Sequence, residues 1–155
     1  MIRRPPRSTL LDIRRQRQMC IRDSANHAMA KGQDAVLFTS RDLVVGTDAG
    51  ESLDIGRRVS ESLIAIVQGI DRQPRYLVAK GGITSSDTAT KGLGVRRAMI
   101  MGQVLPGVPA WQLGHETRWP GMAYIVFPGN VGDDEALAVI RQRLTRPCSC
   151  QPDPM

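Results

Sequence analysis

"VAKGGITSSDTATKGLG", residues 78–94, decides how the chain is read. An apolar run ends at Lys80, two glycines follow, and small hydroxyl residues crowd around Ile83 and Asp87. Glycine lets a backbone turn sharply and approach a ligand closely. The first turn of a helix offers N–H groups that have no intrahelical acceptor and suit an anion. The spacing predicts a strand over "RYLVAK" (75–80), a loop from Gly81 to Ser85, and a short helix over 87–93. Ser85 or Ser86 would cap that helix and Gly94 would end it. A strand, a glycine and hydroxyl loop, and a helix can hold the phosphates of a nucleotide. They equally make a tight turn with no ligand.

Working outward, "DAVLFTS" (34–40) reads as a buried strand. Asp48 and Glu51 form a pair that resembles a capping box and opens a helix. In that helix Ile55, Val59, Leu63, Ile66 and Ile70 form one apolar face, and Gly69 marks its end. "VRRAMIMG" (95–102) reads as a strand, and "VLPGVPAWQLGHETRWPG" (104–121) as an irregular excursion rich in proline and glycine. A strand over 122–130 stops at Pro128. A helix over 133–144 carries acids in its first turn and arginines in its last, matching the helix dipole. Strands that are continuous apolar runs alternate with helices. The fold class expected is therefore α/β, a parallel or mostly parallel sheet with helices on its faces. Ligands in such sheets sit at the carboxyl ends of strands. Three glycine- or hydroxyl-rich segments fall there: Thr39–Ser40, Gly81–Ser85, and Pro128 to Asn130 with Gly132.

The net charge of +6 raises nucleic acid or anionic membrane as a partner, but the charge is lopsided. Seven arginines against Asp12 and Asp23 put +5 of it in residues 1–24, and residues 25–155 carry only +1. Residues 1–24 have the arginine-rich, acid-poor composition of a targeting segment. They resemble translated sequencing-adapter DNA more closely, one adapter reading as Met1 to Thr9 and a second as Arg14 to Asp23. On that reading they are an artefact expected to be disordered, and the natural protein continues upstream of Ala25. Residues 25–145 would be one domain and 146–155 a disordered tail. The last segment holds Cys148 and Cys150, which lack the second pair a zinc site needs. They read as reduced thiols, and no apolar run approaches a membrane span. The expectation is a cytoplasmic protein with neither a nucleic-acid nor a membrane partner.

The chain holds no G-x-x-x-x-G-K-[ST], and Gly92-x-Gly94 has Arg97 where a dinucleotide fingerprint needs a third glycine. "RYLVAKGGITSSDTATKGLGVRRAMIMGQVLPGVPAW" (75–111) and "YIVFPGNVG" (124–132) resemble the C-terminal nucleotide-binding domain of the four-carbon acid sugar kinases. The resemblance implies a Rossmann-like three-layer domain. It also implies transfer of the γ-phosphate of ATP, with Mg²⁺, to a terminal hydroxyl of a threonate, erythronate or 3-oxo-tetronate type acid. Ser40 would contact ATP, and Gly81, Gly82, Ile83, Thr84 and Ser85 would hold its phosphates. Gly129 and Asn130 would close the site. The family's catalytic Asp and acid-binding site belong to an N-terminal domain with a "DDLTGA"-like segment, which nothing here resembles. Asp133–Asp134 instead reads as a helix start. The resemblance therefore implies half of an active site, with no catalytic residue and no metal ligand of its own, and inactive alone. A non-catalytic α/β binding or oligomerisation domain is the alternative, and the oligomeric state stays open.

Other residues carry two readings each. Lys80 stands where it could reach a phosphate, or is a solvated strand end. Asp87 assists Mg²⁺ or is a first-turn acid. Trp111 and Trp119 stack on adenine or are buried under the long loop. His115 has no nucleophile partner, and Arg96 and Arg97 point to opposite faces of a strand.

Overall fold

The computed structural model describes residues 7–39, 46 and 48–145, with side chains from residue 16 onward. The first helix, α1 (Arg7–Ala30), covers most of the stretch expected to be disordered. It contains no proline or glycine and is rich in Arg, Gln, Leu and Met, all good helix formers. It packs on α2 (Ala49–Gln68). Ala25 is buried in the core and Met29 packs against it, whereas Met19 and Ile21 are exposed. The Asn26 amide donates to the Gly69 carbonyl at 3.1 Å and to Asp71 at 2.9 Å, fixing the end of α2.

The α2 start is the one the sequence predicts: the amide of Glu51 donates to Asp48 Oδ1 at 2.7 Å. Such a cap is worth about 1 kcal/mol. The buried stripe of α2 begins only near its end, at Ile64, Ile66 and Val67, and Val59 of the predicted face is exposed. Residues 33–39 form no strand, and Phe38 is 85% exposed. Apolar composition supplies the side chains of a strand but not its ladder, and no described strand pairs with this segment. It is held at Asp34, which pairs with Arg141 and accepts a hydrogen bond from the Tyr76 hydroxyl.

The described residues form four strands, β1 (Tyr76–Lys80), β2 (Ala98–Leu105), β3 (Val108–Leu113) and β4 (Ala123–Phe127), in the spatial order β1-β4-β3-β2. Only β1 and β4 are parallel, paired from Tyr76↔Ala123 to Lys80↔Phe127. The pairs β3/β4 and β2/β3 are antiparallel, so the expected mostly parallel sheet is a mixed one with a single parallel pair. The cause lies in the supposed irregular excursion. Pro106 and Gly107 make a two-residue turn between β2 and β3, with Gly107 at φ +77°. Pro109 sits beside a register irregularity and outside the β3/β4 ladder, where its missing N–H is tolerated.

After β1 come α3 (Gly82–Asp87) and a π-helical turn, Thr88–Gly92, that continues it. The helix thus begins five residues earlier than predicted. α4 (Ala136–Thr145) closes the described chain. Helices cover both faces. Val67, Ile70, Ala79, Ala89, Leu93 and Tyr124 belong to one cluster, and Val108, Ile125, Phe127, Ala136 and Ile140 to the other. β4 feeds both by alternation. Tyr124, Ile125 and Phe127 are fully buried, and burial of a side chain such as Ile or Phe is worth roughly 1.5–3 kcal/mol.

Candidate functional site

The carboxyl ends of the parallel pair lie side by side, and two loops leave them together. After Lys80, Gly81 takes φ +100°, which L side chains rarely adopt, and turns the chain directly into α3. The Gly81 amide donates to the Phe127 carbonyl at 2.8 Å, tying the loop after β1 to the end of β4. A Cβ on Gly129 would lie 3.9 Å from Gly81 Cα, so the two glycine backbones run close together, about one methyl group apart. The structure therefore brings Gly81–Ser85 and Gly129–Asn130, 48 residues apart in sequence at their glycines, to one place. Ser40 lies outside the described residues, as do 146–155 with Cys148 and Cys150.

The surface above the first turn of α3 is open. A Cβ on Gly82 would meet no heavy atom within 4 Å, and Ile83 is 78% exposed. The first helical hydrogen bond runs from the Ser85 amide to the Gly81 carbonyl at 2.9 Å, leaving the amides of Gly82, Ile83 and Thr84 ahead of the ladder. Thr84 is half-buried at the rim. Gly129 and Asn130 are exposed on the facing loop. This arrangement suits phosphate oxygens, with amides on one side, a nearby hydroxyl, and no side chain filling the cradle.

Ser85 is placed differently from a phosphate donor. It is buried, and its hydroxyl donates to the Ala79 carbonyl at 2.6 Å. Its own carbonyl accepts from the Tyr124 hydroxyl at 2.7 Å. Two buried bonds thus pin the start of α3 to β1 and β4. Burial pushes the Tyr124 phenol well above its ordinary range, so it remains a neutral donor. On the other face, Lys80 Nζ lies 4.5 Å from the centroid of the Phe127 ring. Gly132, at φ +81°, lets its loop approach that ring. A Cβ there would stand 3.0 Å from Phe127 Cζ and 2.7 Å from Ala136 Cβ.

Asp87 lies at the last position of α3, not in the first turn of a helix. It accepts from the Ser60 hydroxyl at 2.6 Å and pairs with Lys91 at 2.7 Å. Hydrogen bonds from Lys91 and then Ser60 hold its carboxyl below the usual carboxylate range. Its neighbours make it a link between α2 and α3. Trp119 is buried in the core, and the half-buried Trp111 packs against Tyr124 with ring centroids 6.0 Å apart. His115 is exposed in the β3–β4 connection. The amides of Arg96 and Arg97 face Glu116 Oε1 at 3.4 and 3.1 Å. Among the described residues no three His, Cys, Asp or Glu side chains converge to hold a metal ion. None of the described helices is long and apolar enough to cross a membrane. Sequence reading missed Tyr124 and Phe127, which fix the two loops from below. Their signal is the alternation in "YIVF", which sends them to opposite faces.

Comparison with known proteins meets this geometry at one point. Residues 7–137 match the model of the nucleotide-binding C-terminal domain. The chain belongs to that family. The nucleotide-binding C-terminal domain described here resembles a domain of unknown function (DUF1537) from Bordetella bronchiseptica, whose crystal structure is a domain-swapped dimer with bound citrate. The two share 23% identity at a TM-score of 0.53, over 79% of this chain and 30% of that chain. A putative tRNA synthase from Salmonella typhimurium aligns with 22% identity and a TM-score of 0.44, over 79% of this chain and 31% of that chain. The domain thus spans about a third of the length of the solved structures it matches. No curated protein matches it.

Proposed function

We propose that this domain binds ATP, with Mg²⁺, and is the nucleotide-binding part of a kinase that phosphorylates a terminal hydroxyl of a four-carbon sugar acid. The observation that carries the nucleotide reading is the close approach of the Gly81 and Gly129 loops at the paired strand ends, beside open space at Gly82. Substrate class rests on the resemblance of 75–111 and 124–132 to the four-carbon acid sugar kinases. The amides of Gly82 to Thr84 would hold phosphate oxygens, and Gly129 and Asn130 would face them. Mg²⁺ would neutralise phosphate charge, and positioning and electrostatics dominate such transfers. The sugar acid and the base that accepts its hydroxyl proton belong, on this reading, to a second domain. This domain alone would then bind nucleotide without turnover, in the cytoplasm.

Gly82 allows a clean test. Its backbone is not at positive φ and a Cβ there meets nothing, so Gly82→Val should fold while filling the cradle. ATP–Mg²⁺ should raise the melting temperature of the chain, and Gly82→Val should abolish that rise. Equal protection of both proteins, or of neither, would favour the binding or oligomerisation alternative.

Residues 1–24 we read as translated adapter DNA, although the family match reaches back to residue 7. Supporting this, among the described side chains of α1 the first in the core is Ala25, and Met19 and Ile21 before it are exposed. A chain trimmed to 25–155 should keep its fold and its response to ATP. Any DNA affinity of the full chain should vanish with the trimmed arginines.

A further inference from the structure

Lys80 is the last residue of β1 and stands in register with Phe127, the last residue of β4. Side chains alternate along a strand. Ala79 therefore faces the cluster that includes Ala89 and Leu93, and Lys80 the opposite face, over the Phe127 ring. That ring is fully buried, with the Gly132 loop close against its tip. The ammonium thus rests on a fixed seat where the two loops diverge. Among the described residues no carboxylate lies at salt-bridge distance from it, unlike Lys91, which is tied to Asp87 at 2.7 Å. An aromatic face attracts a cation without using up its N–H donors, which stay available on the side away from the ring.

The geometry points to Lys80 as the cation of the nucleotide site, its ammonium turning from the Phe127 ring to oxygens of a di- or triphosphate held at 81–84. This inference rests on the nucleotide-binding reading above. Gly82 to Thr84 offer neutral amides, and Asp87 nearby is already engaged by Ser60 and Lys91. The loop itself therefore brings no side-chain charge to a polyanion. A compact ammonium with three rotatable donors on a flexible stem suits that task. An adenosine without phosphates gains nothing from it.

The test is calorimetric binding of ATP–Mg²⁺ and of adenosine to the full chain, to Lys80→Met and to Lys80→Arg. Loss of one charge-assisted contact should weaken ATP about tenfold or more in Lys80→Met. Adenosine affinity should not change, and Lys80→Arg should recover most of the ATP affinity. The fall of ATP affinity with added salt should also be shallower in Lys80→Met. If Lys80→Met binds ATP as the parent does, Lys80 is only a solvated strand end and the nucleotide reading survives. Equal weakening toward ATP and adenosine would make Lys80 a loop support and overturn the inference. A parent chain that binds neither ligand overturns both readings. Lys80→Gln serves the same comparison should the Met variant fail to fold.

Discussion

β4 and β2 are both apolar strands of one sheet, yet their surroundings differ. On β4, Tyr124, Ile125 and Phe127 are fully buried, with helices on both faces. On the outer strand β2, Met99, Ile100 and Met101 stand 66, 71 and 62% exposed. Composition does not separate them; position in the sheet does. Where a strand is covered on both faces, its end is held firmly enough to place a loop to within a hydrogen bond, as in Gly81 to Phe127. Where it forms an edge, the same residue types contribute little to the core.

Phe127→Ala should break the covered side most severely, costing about 3–5 kcal/mol in denaturant unfolding. It would also remove the seat beneath Lys80. Tyr124→Phe should cost about 1 kcal/mol, because it removes a buried hydrogen bond to the Ser85 carbonyl, which keeps the Thr88 amide as a donor. It should weaken nucleotide binding as well, which separates a pinned α3 from a merely well-packed one. Acid sharpens the comparison from outside the core. Asp87, through Lys91 and Ser60, and Glu116, through backbone amides, are held below the usual carboxylate range. The unfolded chain therefore takes up their protons first. Stability should be flat above the ordinary carboxylate pKa, then fall as pH drops below about 4. Asp87→Asn should lower stability at neutral pH and flatten that fall. The smallest effect is expected at the edge: Ile100→Thr should change stability by no more than about 0.5 kcal/mol. A loss there as large as that of Phe127→Ala would mean that β2 is covered in solution.

Local signals in the sequence were legible where one residue's chemistry decides the matter. Asp48 and Glu51 mark the start of α2, and the runs ending at Lys80 and Pro128 mark β1 and β4. Strand direction was not legible, because an apolar run carries no record of its partner. Pro106 and Gly107 read as part of an irregular excursion and are in fact a hairpin turn. The start of α3 was misplaced for a different reason. Ser85 has the composition of a cap, but its hydroxyl turns inward to Ala79, and Gly81 makes the turn instead. That Gly81–Ser85 and Gly129–Asn130 share the carboxyl end of the sheet was legible from the strand ends, but their adjacency depends on the β1/β4 pairing, which the separate segments do not record. Lys80 could be noticed in the sequence, but its seat on Phe127 depends on the β1/β4 register.

The Tyr124 hydroxyl holds the first turn of α3 while its ring lies beside Trp111 at a 31° tilt. Light absorbed by this tyrosine can pass to the indole, and burial keeps the phenol from ionising in ordinary buffers. The protein thus carries its own optical probe, wired from the mouth of the glycine loop to the middle of the sheet. Any ligand that shifts α3 should change the tyrosine-sensitised emission of Trp111, with no label attached.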